Sequence, residues 1–172
     1  EVGSETPDGA VFSRDASRNL VFTIDNTLAT DLGRTADSYR QKDLFSFRPF
    51  NATQLDIEYG EETKTFEKQE ESDGSVWRQV GRNVGEIDPA TIEDLLTKLS
   101  ALRAQSFVDS QEGAGLDSPL VIIEVNFDDT NERVLIGRSG ENTYGVNGNE
   151  HGAAILDSQA VDEILNAIDG QP

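Results

Sequence analysis

The chain has 172 residues, and its 33 acidic and 14 basic side chains give a net charge of −19. One histidine and no cysteine exclude disulfides, a thiol nucleophile and metal sites with cysteine or several histidine ligands. The charge opposes phosphate backbones, so we expect no nucleic-acid partner. The longest apolar run, Leu120–Ile123, is far below the roughly 20 residues of a membrane-spanning helix, so we expect no direct membrane insertion within this fragment.

The first 32 residues predict a β-hairpin followed by a short helix. Val11–Ser13 and Leu20–Ile24 are short apolar segments separated by polar turn residues, which favours a pair of strands. Asp25 is a good N-cap residue, and Leu28 and Leu32 follow it one helical turn apart.

The middle of the chain predicts three strands and a longer helix. Alternating apolar residues favour strands at Gln54–Tyr59, Thr63–Lys68 and Val76–Val80. Ser72–Gly74 has the composition of a turn between the last two. Asp88 and Pro89 then form a helix start. The apolar stripe that follows consists of Ile92, Leu95, Leu96, Leu99 and Leu102.

The last third predicts two strand pairs and a second long helix. Leu120–Phe127 is the strongest strand, and a polar turn joins it to Arg133–Ile136. Thr143–Val146 and Ala153–Leu156 form the second pair. Asp157 then caps a helix that ends before Gly170. Its apolar face consists of Val161, Ile164, Leu165 and Ile168.

The end of the chain repeats the pattern of its beginning. Gly3 leads a strand pair that reaches the N-cap Asp25 22 residues later, and Gly137 leads one that reaches Asp157 20 residues later. Chance recurrence of a common hairpin-then-helix arrangement is the alternative. We predict an α+β fold of antiparallel β-sheets with amphipathic helices packed on one face and a partial internal repeat. Residues 1–52 are predicted to be the C-terminal part of one repeat plus a linker, and residues 53–172 one complete repeat.

Several short motifs are distributed along nearly the whole chain. They are Asp37–Arg40, Lys42–Phe45, Phe47, Trp77, Ala101–Ala104, Phe107–Asp109, Gly115–Pro119, Leu135–Gly137 and Tyr144. In these motifs the chain resembles a bacterial family called domain of unknown function 4340. Relatives of this kind occur as tandem copies in envelope proteins, often follow a membrane helix, and are often encoded beside ABC-transporter components of the gliding-motility type. The resemblance implies an extracytoplasmic accessory role and no catalytic residue.

Six of the motif residues are interpreted as structural landmarks: Trp77, Gly115, Leu116, Pro119, Gly137 and Tyr144. Gly115 permits a close approach, Leu116 fills the core, and Pro119 enforces an extended backbone before the next strand. A binding loop at these residues, or a ligand stacked on Trp77, is the functional alternative.

Few groups in the sequence are suited to catalysis or metal binding. His151 lies in a loop rich in glycine and asparagine, with no serine in a nucleophile-elbow context, so we expect a solvated side chain rather than a hydrolase base. A cluster at one predicted turn could offer oxygens to calcium but lacks EF-hand spacing. It consists of Asp128, Asp129, Asn131 and Glu132. We predict no catalytic residue, no cofactor and no metal site, and therefore no enzyme.

The charge is distributed unevenly. Residues 56–73 have a local charge of −6, whereas residues 33–48 have a local charge of +2 and contain several aromatic residues. Arginine and tyrosine are enriched in protein interfaces. The candidate partner-binding residues are Arg34, Tyr39, Arg40, Lys42 and Arg48. The alternative is that the aromatic residues of this segment pack in the core and its bases pair with the acidic strands.

These observations predict a non-catalytic interaction or scaffold module, and the resemblance implies that it belongs to a membrane-associated assembly linked to an ABC transporter or to gliding motility. Its partners would be proteins of the cell envelope. The chain contains no methionine, so we expect Glu1 to follow processing. The resemblance implies that the protein is periplasmic or envelope-bound and anchored by an upstream segment. The alternative is a module that binds calcium, a glycan or another envelope ligand through its acidic hairpins.

Overall fold

The computed structural model describes residues 1–72, 74–81, 87–148 and 150–170, with the side chain of Ala36 left out. The described chain contains eleven strands in antiparallel sheets and three α-helices, with 20% of residues helical and 45% in strands. The predicted α+β class is confirmed. The chain forms two compact units, Glu1–Arg40 and Gln41–Pro172, which we call the N-terminal unit and the C-terminal unit. The repeat boundary after residue 52 stays a prediction.

The N-terminal unit is a three-stranded antiparallel meander followed by a helix. Its elements are β1 (Val2–Glu5), β2 (Val11–Asp15), β3 (Leu20–Ile24) and α1 (Asn26–Leu32), with a 3₁₀ turn at Ala36–Ser38. The strands are hydrogen-bonded in the order β1-β2-β3. The Asp25 carboxylate accepts a 2.8 Å hydrogen bond from the Thr27 backbone N–H, so it caps α1 as predicted.

The C-terminal unit is built on one eight-stranded antiparallel sheet. Its strands are β4 (Ala52–Tyr59), β5 (Glu62–Glu71), β6 (Gly74–Val80), β7 (Ala104–Val108), β8 (Val121–Phe127), β9 (Thr130–Ser139), β10 (Asn142–Asn147) and β11 (Ala153–Leu156). Their spatial order is β6-β5-β4-β8-β9-β10-β11-β7. The predicted turn between β5 and β6 includes Asp73, which lies outside the described residues.

Two helices and one face of this sheet enclose the main hydrophobic core. The helices are α2 (Pro89–Ser100) and α3 (Ser158–Asp169), each N-capped by the predicted aspartate. They pack against each other through the apolar stripes that the sequence spacing predicted. Fully buried sheet residues meet them, among them Leu55, Ile123 and Ile136. β8 alternates buried and half-buried side chains along its length, as expected for a central strand.

The structure differs from the sequence prediction after α2. The helix ends at Ser100, although the apolar spacing extends to Leu102. Leu102 is buried nonetheless, because the chain turns back toward the core directly after the helix. Ala104–Val108 then forms β7, which pairs with β11 at the edge of the sheet. The sequence of Ala104–Val108 does not predict a strand, because this short segment has no alternation of apolar and polar residues.

Candidate interaction site

The predicted partner-binding residues are divided between the two units. In the N-terminal unit, the Arg34 guanidinium lies 3.0 Å from the Asp31 carboxylate, and the Arg40 guanidinium 3.3 Å from the Asp37 carboxylate. The Tyr39 hydroxyl donates a 2.6 Å hydrogen bond to the backbone carbonyl of Asp31. These side chains are exposed, and exposed ion pairs of this kind contribute only about 0–1 kcal/mol. Both guanidinium groups can therefore exchange partners at little cost.

The other two predicted residues lie in the C-terminal unit. Arg48 is exposed, and its guanidinium donates a 3.3 Å hydrogen bond to the Phe47 carbonyl. Lys42 lines a shallow cleft of about 140 Å³, together with Glu132 and Glu150. Both oxygens of the Glu132 carboxylate accept hydrogen bonds from Ser46. The Glu132 carboxylate of this cleft is thus engaged with the protein itself.

The aromatic residues near this basic segment contribute to the core of the C-terminal unit. Phe45 and Phe47 are fully buried, and their ring centroids lie 5.4 Å apart in an edge-to-face arrangement. The packing of these two residues agrees with the alternative stated from the sequence, in which the aromatic residues of this segment lie in the core. Among the bases, Arg34 pairs with Asp31 and Arg40 with Asp37, which are local aspartates.

The polar β8–β9 turn forms hydrogen bonds within the protein. Asp128 has a φ of +48°, and its carboxylate accepts a 3.0 Å hydrogen bond from the Asn51 side chain. Asn131 donates to the Glu124 carboxylate at 2.8 Å. Within the described ranges, no group of three or more histidine, aspartate or glutamate side chains is arranged to hold a metal ion. His151 is exposed in a bend.

The landmark glycines mark a contact between two backbone segments. Gly115 has a φ of +73° and lies directly against the backbone of Arg138. A Cβ atom added to Gly137 would lie 2.5 Å from the carbonyl oxygen of Gly115. Close backbone approach therefore requires glycine at both positions.

The other landmarks surround this contact or lie in the main core. Leu116 is buried in a second apolar cluster with Ala114, and Tyr144 packs against that cluster. Pro119 precedes Leu120, whose N–H donates a 2.8 Å hydrogen bond to the Ile136 carbonyl. Trp77 is buried in the main core. All of these contacts are structural.

Most of the exposed large apolar side chains that the structure describes belong to the N-terminal unit. Nine large apolar or aromatic side chains are exposed among the described residues, and eight of them lie in its 40 residues. The eight are Val2, Phe12, Leu20, Val21, Phe22, Leu28, Leu32 and Tyr39. We call the seven aliphatic and phenylalanine side chains among them the N-terminal apolar surface.

This unit and the end of the C-terminal unit have the same strand register. Val11 pairs with Ile24, directly before the cap Asp25. In the same way Thr143 pairs with Leu156, directly before the cap Asp157. Phe12 and Tyr144 each lie 13 residues before their capping aspartate, so the length difference lies entirely in the first hairpin loop. The register supports the internal repeat, which stays a prediction.

Comparison with known sequences gives the chain a family. The sequence model of the family described as Domain of unknown function (DUF4340) matches residues 1–119. The chain belongs to this family. The resemblance stated from the sequence motifs is thereby confirmed. No curated protein and no solved structure matches the chain.

For this DUF4340 chain, the sequence motifs did not indicate the N-terminal apolar surface. Residues such as Val21 and Phe22 have the apolar pattern of an ordinary strand. The same pattern gives buried side chains at Ala153 and Leu156, so no local signal in the sequence distinguishes the exposed strand from a buried one. In the part of the chain that the structure describes, none of the helices has the length and apolar character needed to cross a bilayer.

Proposed function

We propose that this DUF4340 chain is a non-catalytic, extracytoplasmic interaction or scaffold module of a membrane-associated assembly, of the ABC-transporter or gliding-motility type. The observation that carries the proposal is the N-terminal apolar surface. Its side chains lie on three strands and one helix, with Val21 64% and Leu32 63% exposed. Exposed apolar side chains concentrated in one small folded unit favour a protein interaction site.

The polar residues of the same unit fit a protein partner. Arg34, Tyr39 and Arg40 are exposed, and the two guanidinium groups form ion pairs with Asp31 and Asp37, whose side chains are also partly exposed. Arginine and tyrosine give interfaces much of their binding energy. A partner with an apolar centre and acidic residues around it would complement this unit.

The proposed cellular location rests on the composition and on the family resemblance. The absence of cysteine is compatible with an oxidising compartment outside the cytoplasm. The transporter and motility association is what resemblance to the family implies. We therefore propose the extracytoplasmic location and the membrane-associated assembly together, and two measurements on the same protein test them.

The test is site-specific photo-crosslinking in the producing bacterium, with the full-length protein. A photoreactive residue replaces Val21 in the N-terminal apolar surface or, as a matched control, Glu61 in the exposed turn between β4 and β5. We expect the Val21 position to form an adduct that mass spectrometry identifies as a membrane transport or motility component, and the Glu61 position to form none.

Protease treatment of intact spheroplasts provides the second measurement. Degradation of the protein without lysis is expected for an extracytoplasmic module. Protection until lysis, or the same adducts from both photoreactive positions, would contradict the proposal.

A further inference from the structure

The most exposed large apolar side chain of the described residues lies in the C-terminal unit. Phe50 is 78% exposed, in a four-residue turn that leads into β4. Phe47 before the turn and Ala52 after it are fully buried, so the backbone is anchored in the core on both sides. A single exposed apolar side chain is common on protein surfaces, and its meaning depends on how it is held and on what surrounds it.

Hydrogen bonds hold this turn in one conformation. Pro49 fixes φ at the second position, and the Asn51 backbone N–H donates a 3.0 Å hydrogen bond to the Arg48 carbonyl. The Asn51 side-chain carbonyl accepts a 2.9 Å hydrogen bond from the Arg48 N–H. Its amide group donates at 3.0 Å to the Asp128 carboxylate. Because the backbone is already fixed, Phe50 loses little conformational entropy when it binds a partner.

Two basic side chains at this turn have no carboxylate partner. The Lys68 ammonium donates a 3.0 Å hydrogen bond to the Phe50 carbonyl, and the Arg48 guanidinium donates a 3.3 Å hydrogen bond to the Phe47 carbonyl. Neither forms an ion pair with a described residue, whereas nine other basic side chains of the described chain do. Two such bases at one turn therefore stand out in a chain with 33 acidic residues.

We propose that the turn Arg48–Asn51 inserts Phe50 into a pocket of a partner protein that is apolar at its floor and has carboxylates at its rim. Arg48 and Lys68 then exchange backbone carbonyls for carboxylates, which accept stronger hydrogen bonds from cations. Aromatic and arginine side chains give interfaces much of their binding energy, and complementary charge fixes the orientation.

The charge of the whole chain favours a protein over a lipid surface as the occupant. A net charge of −19 opposes approach to an anionic membrane, whereas a pocket with a few rim carboxylates senses mainly the local cations. The inference goes beyond the proposed function, because it assigns a second contact to the C-terminal unit and holds for any cellular compartment.

Photo-crosslinking of the full-length protein in the producing bacterium is the first test. Photoreactive p-benzoylphenylalanine replaces Phe50 or, as a matched control, Glu61 in the exposed β4–β5 turn. We expect one major protein adduct from position 50 and none from position 61. Mass spectrometry of the crosslinked peptide should place the partner's residue in an apolar pocket with aspartate or glutamate at its rim.

Calorimetric titration of that partner with the purified full-length protein is the second test. Phe50→Ala and Arg48→Glu should each weaken binding about tenfold or more, whereas Arg48→Lys keeps the charge and should weaken it about threefold or less. Asn51→Ala leaves Phe50 in place but removes the side-chain bonds that hold the turn, and should weaken binding about threefold. Lysine in place of a rim carboxylate of the partner should restore binding to the Arg48→Glu variant.

Any of four results would overturn the inference. They are no adduct from position 50, an adduct with another part of the same chain or with a second copy, an adduct with lipid alone, and equal binding by wild type and Phe50→Ala. Binding to phosphatidylglycerol vesicles that Phe50→Ala abolishes would assign the turn to a membrane. Circular dichroism of each variant verifies that the fold is retained. Failure at position 50 leaves the proposed function intact if Val21 still crosslinks a membrane component, because the two positions are probed separately.

Discussion

The N-terminal meander (residues 2–32) and the C-terminal meander (residues 130–169) pair their strands alike but bury them differently. In each, three antiparallel strands lead to a helix capped by aspartate. The helix of the C-terminal meander buries Ile164, whereas the corresponding Leu32 is 63% exposed. Strand pairing and capping are therefore set by local sequence, whereas burial depends on the segments that cover the meander.

The largest expected difference between the meanders comes from their leading glycines. Gly137→Val should destabilise the C-terminal unit by about 3 kcal/mol or more, because the new side chain overlaps the Gly115 backbone. Gly3→Val should change stability by about 1 kcal/mol or less, since the nearest atom lies 3.2 Å from the added Cβ. Urea denaturation followed by fluorescence of Trp77, the chain's one tryptophan, measures the first effect.

Hydrogen exchange of the β1 and β2 amides measures the effect of Gly3→Val. Equal destabilisation by the two substitutions would contradict the comparison, because it would mean that Gly3 is covered as closely as Gly137.

Truncation of the corresponding helix residues should give the next largest difference. Ile164→Ala removes a fully buried side chain and should cost about 2–5 kcal/mol. Leu32→Ala removes an exposed side chain and should change the free energy of unfolding by less than about 0.5 kcal/mol. Thermal unfolding combined with hydrogen exchange in each helix tests the pair. A cost above about 2 kcal/mol at Leu32 would show that α1 is covered in solution.

Ser13 and Gly145 occupy corresponding positions in the two meanders. Substitution by alanine should raise the free energy of unfolding at Ser13 and lower it at Gly145. Within the described part of the chain, the Ser13 hydroxyl is buried without a hydrogen-bond partner, so Ser13→Ala should stabilise the N-terminal meander by about 1 kcal/mol. An added Cβ at Gly145 would lie 2.8 Å from a Leu156 methyl group and 3.0 Å from one of Leu44. Gly145→Ala should therefore destabilise by about 1–2 kcal/mol.

Denaturation midpoints of the two variants, with hydrogen exchange to locate each change, provide the measurement. A destabilising Ser13→Ala substitution would mean that the hydroxyl has a partner in solution.

The smallest expected effect is acid fraying of α1. The Thr27 backbone N–H, followed by the Thr27 side chain, lowers the pKa of Asp25 by hydrogen-bonding its carboxylate. Because the pKa is lower in the folded state, the cap stabilises the helix above the unfolded-state pKa. This stabilisation is lost as the pH falls through the folded-state pKa, in the range below about pH 4. The amide shift of Thr27 in an NMR titration follows this loss.

Asp25→Asn is the control for this titration. Asparagine caps a helix about as well as aspartate but does not ionise. Fraying of α1 should therefore lose its dependence on pH in this variant. The same acid response in wild type and variant would assign the titration to another group.

Local patterns in the sequence predicted the elements well and their assembly less well. The alternation at Leu120–Phe127 and the caps Asp88 and Asp157 gave correct strands and helices because each signal lies within one segment. Pairing of β4 with β8 depends on contacts between residues far apart in sequence, and no local pattern encodes it. β7 was missed for the same reason, since its pairing with β11 rather than its own pattern makes it a strand.

The candidate site was predicted only in part. Exposure of Arg34 and Tyr39 follows from their polar surroundings. The exposure of the face formed by Gly3, Phe12 and Val21 could not be predicted. Phe12 and Val21 have the same apolar character whether or not a segment covers them. The strand register of both meanders was needed to match Gly3 with Gly137.

The strand order of the large sheet has a consequence for how the protein folds. β4-β5-β6 and β8-β9-β10-β11 are two runs of sequential hairpins, and each can form from neighbouring residues. The β4–β8 ladder that joins them closes a loop containing β5, β6, α2 and β7. Closure of so long a loop is entropically costly, so we expect it to limit the folding rate. Substitutions at Ile57 and Ile123, which face each other across this ladder, should slow folding more than those within either run.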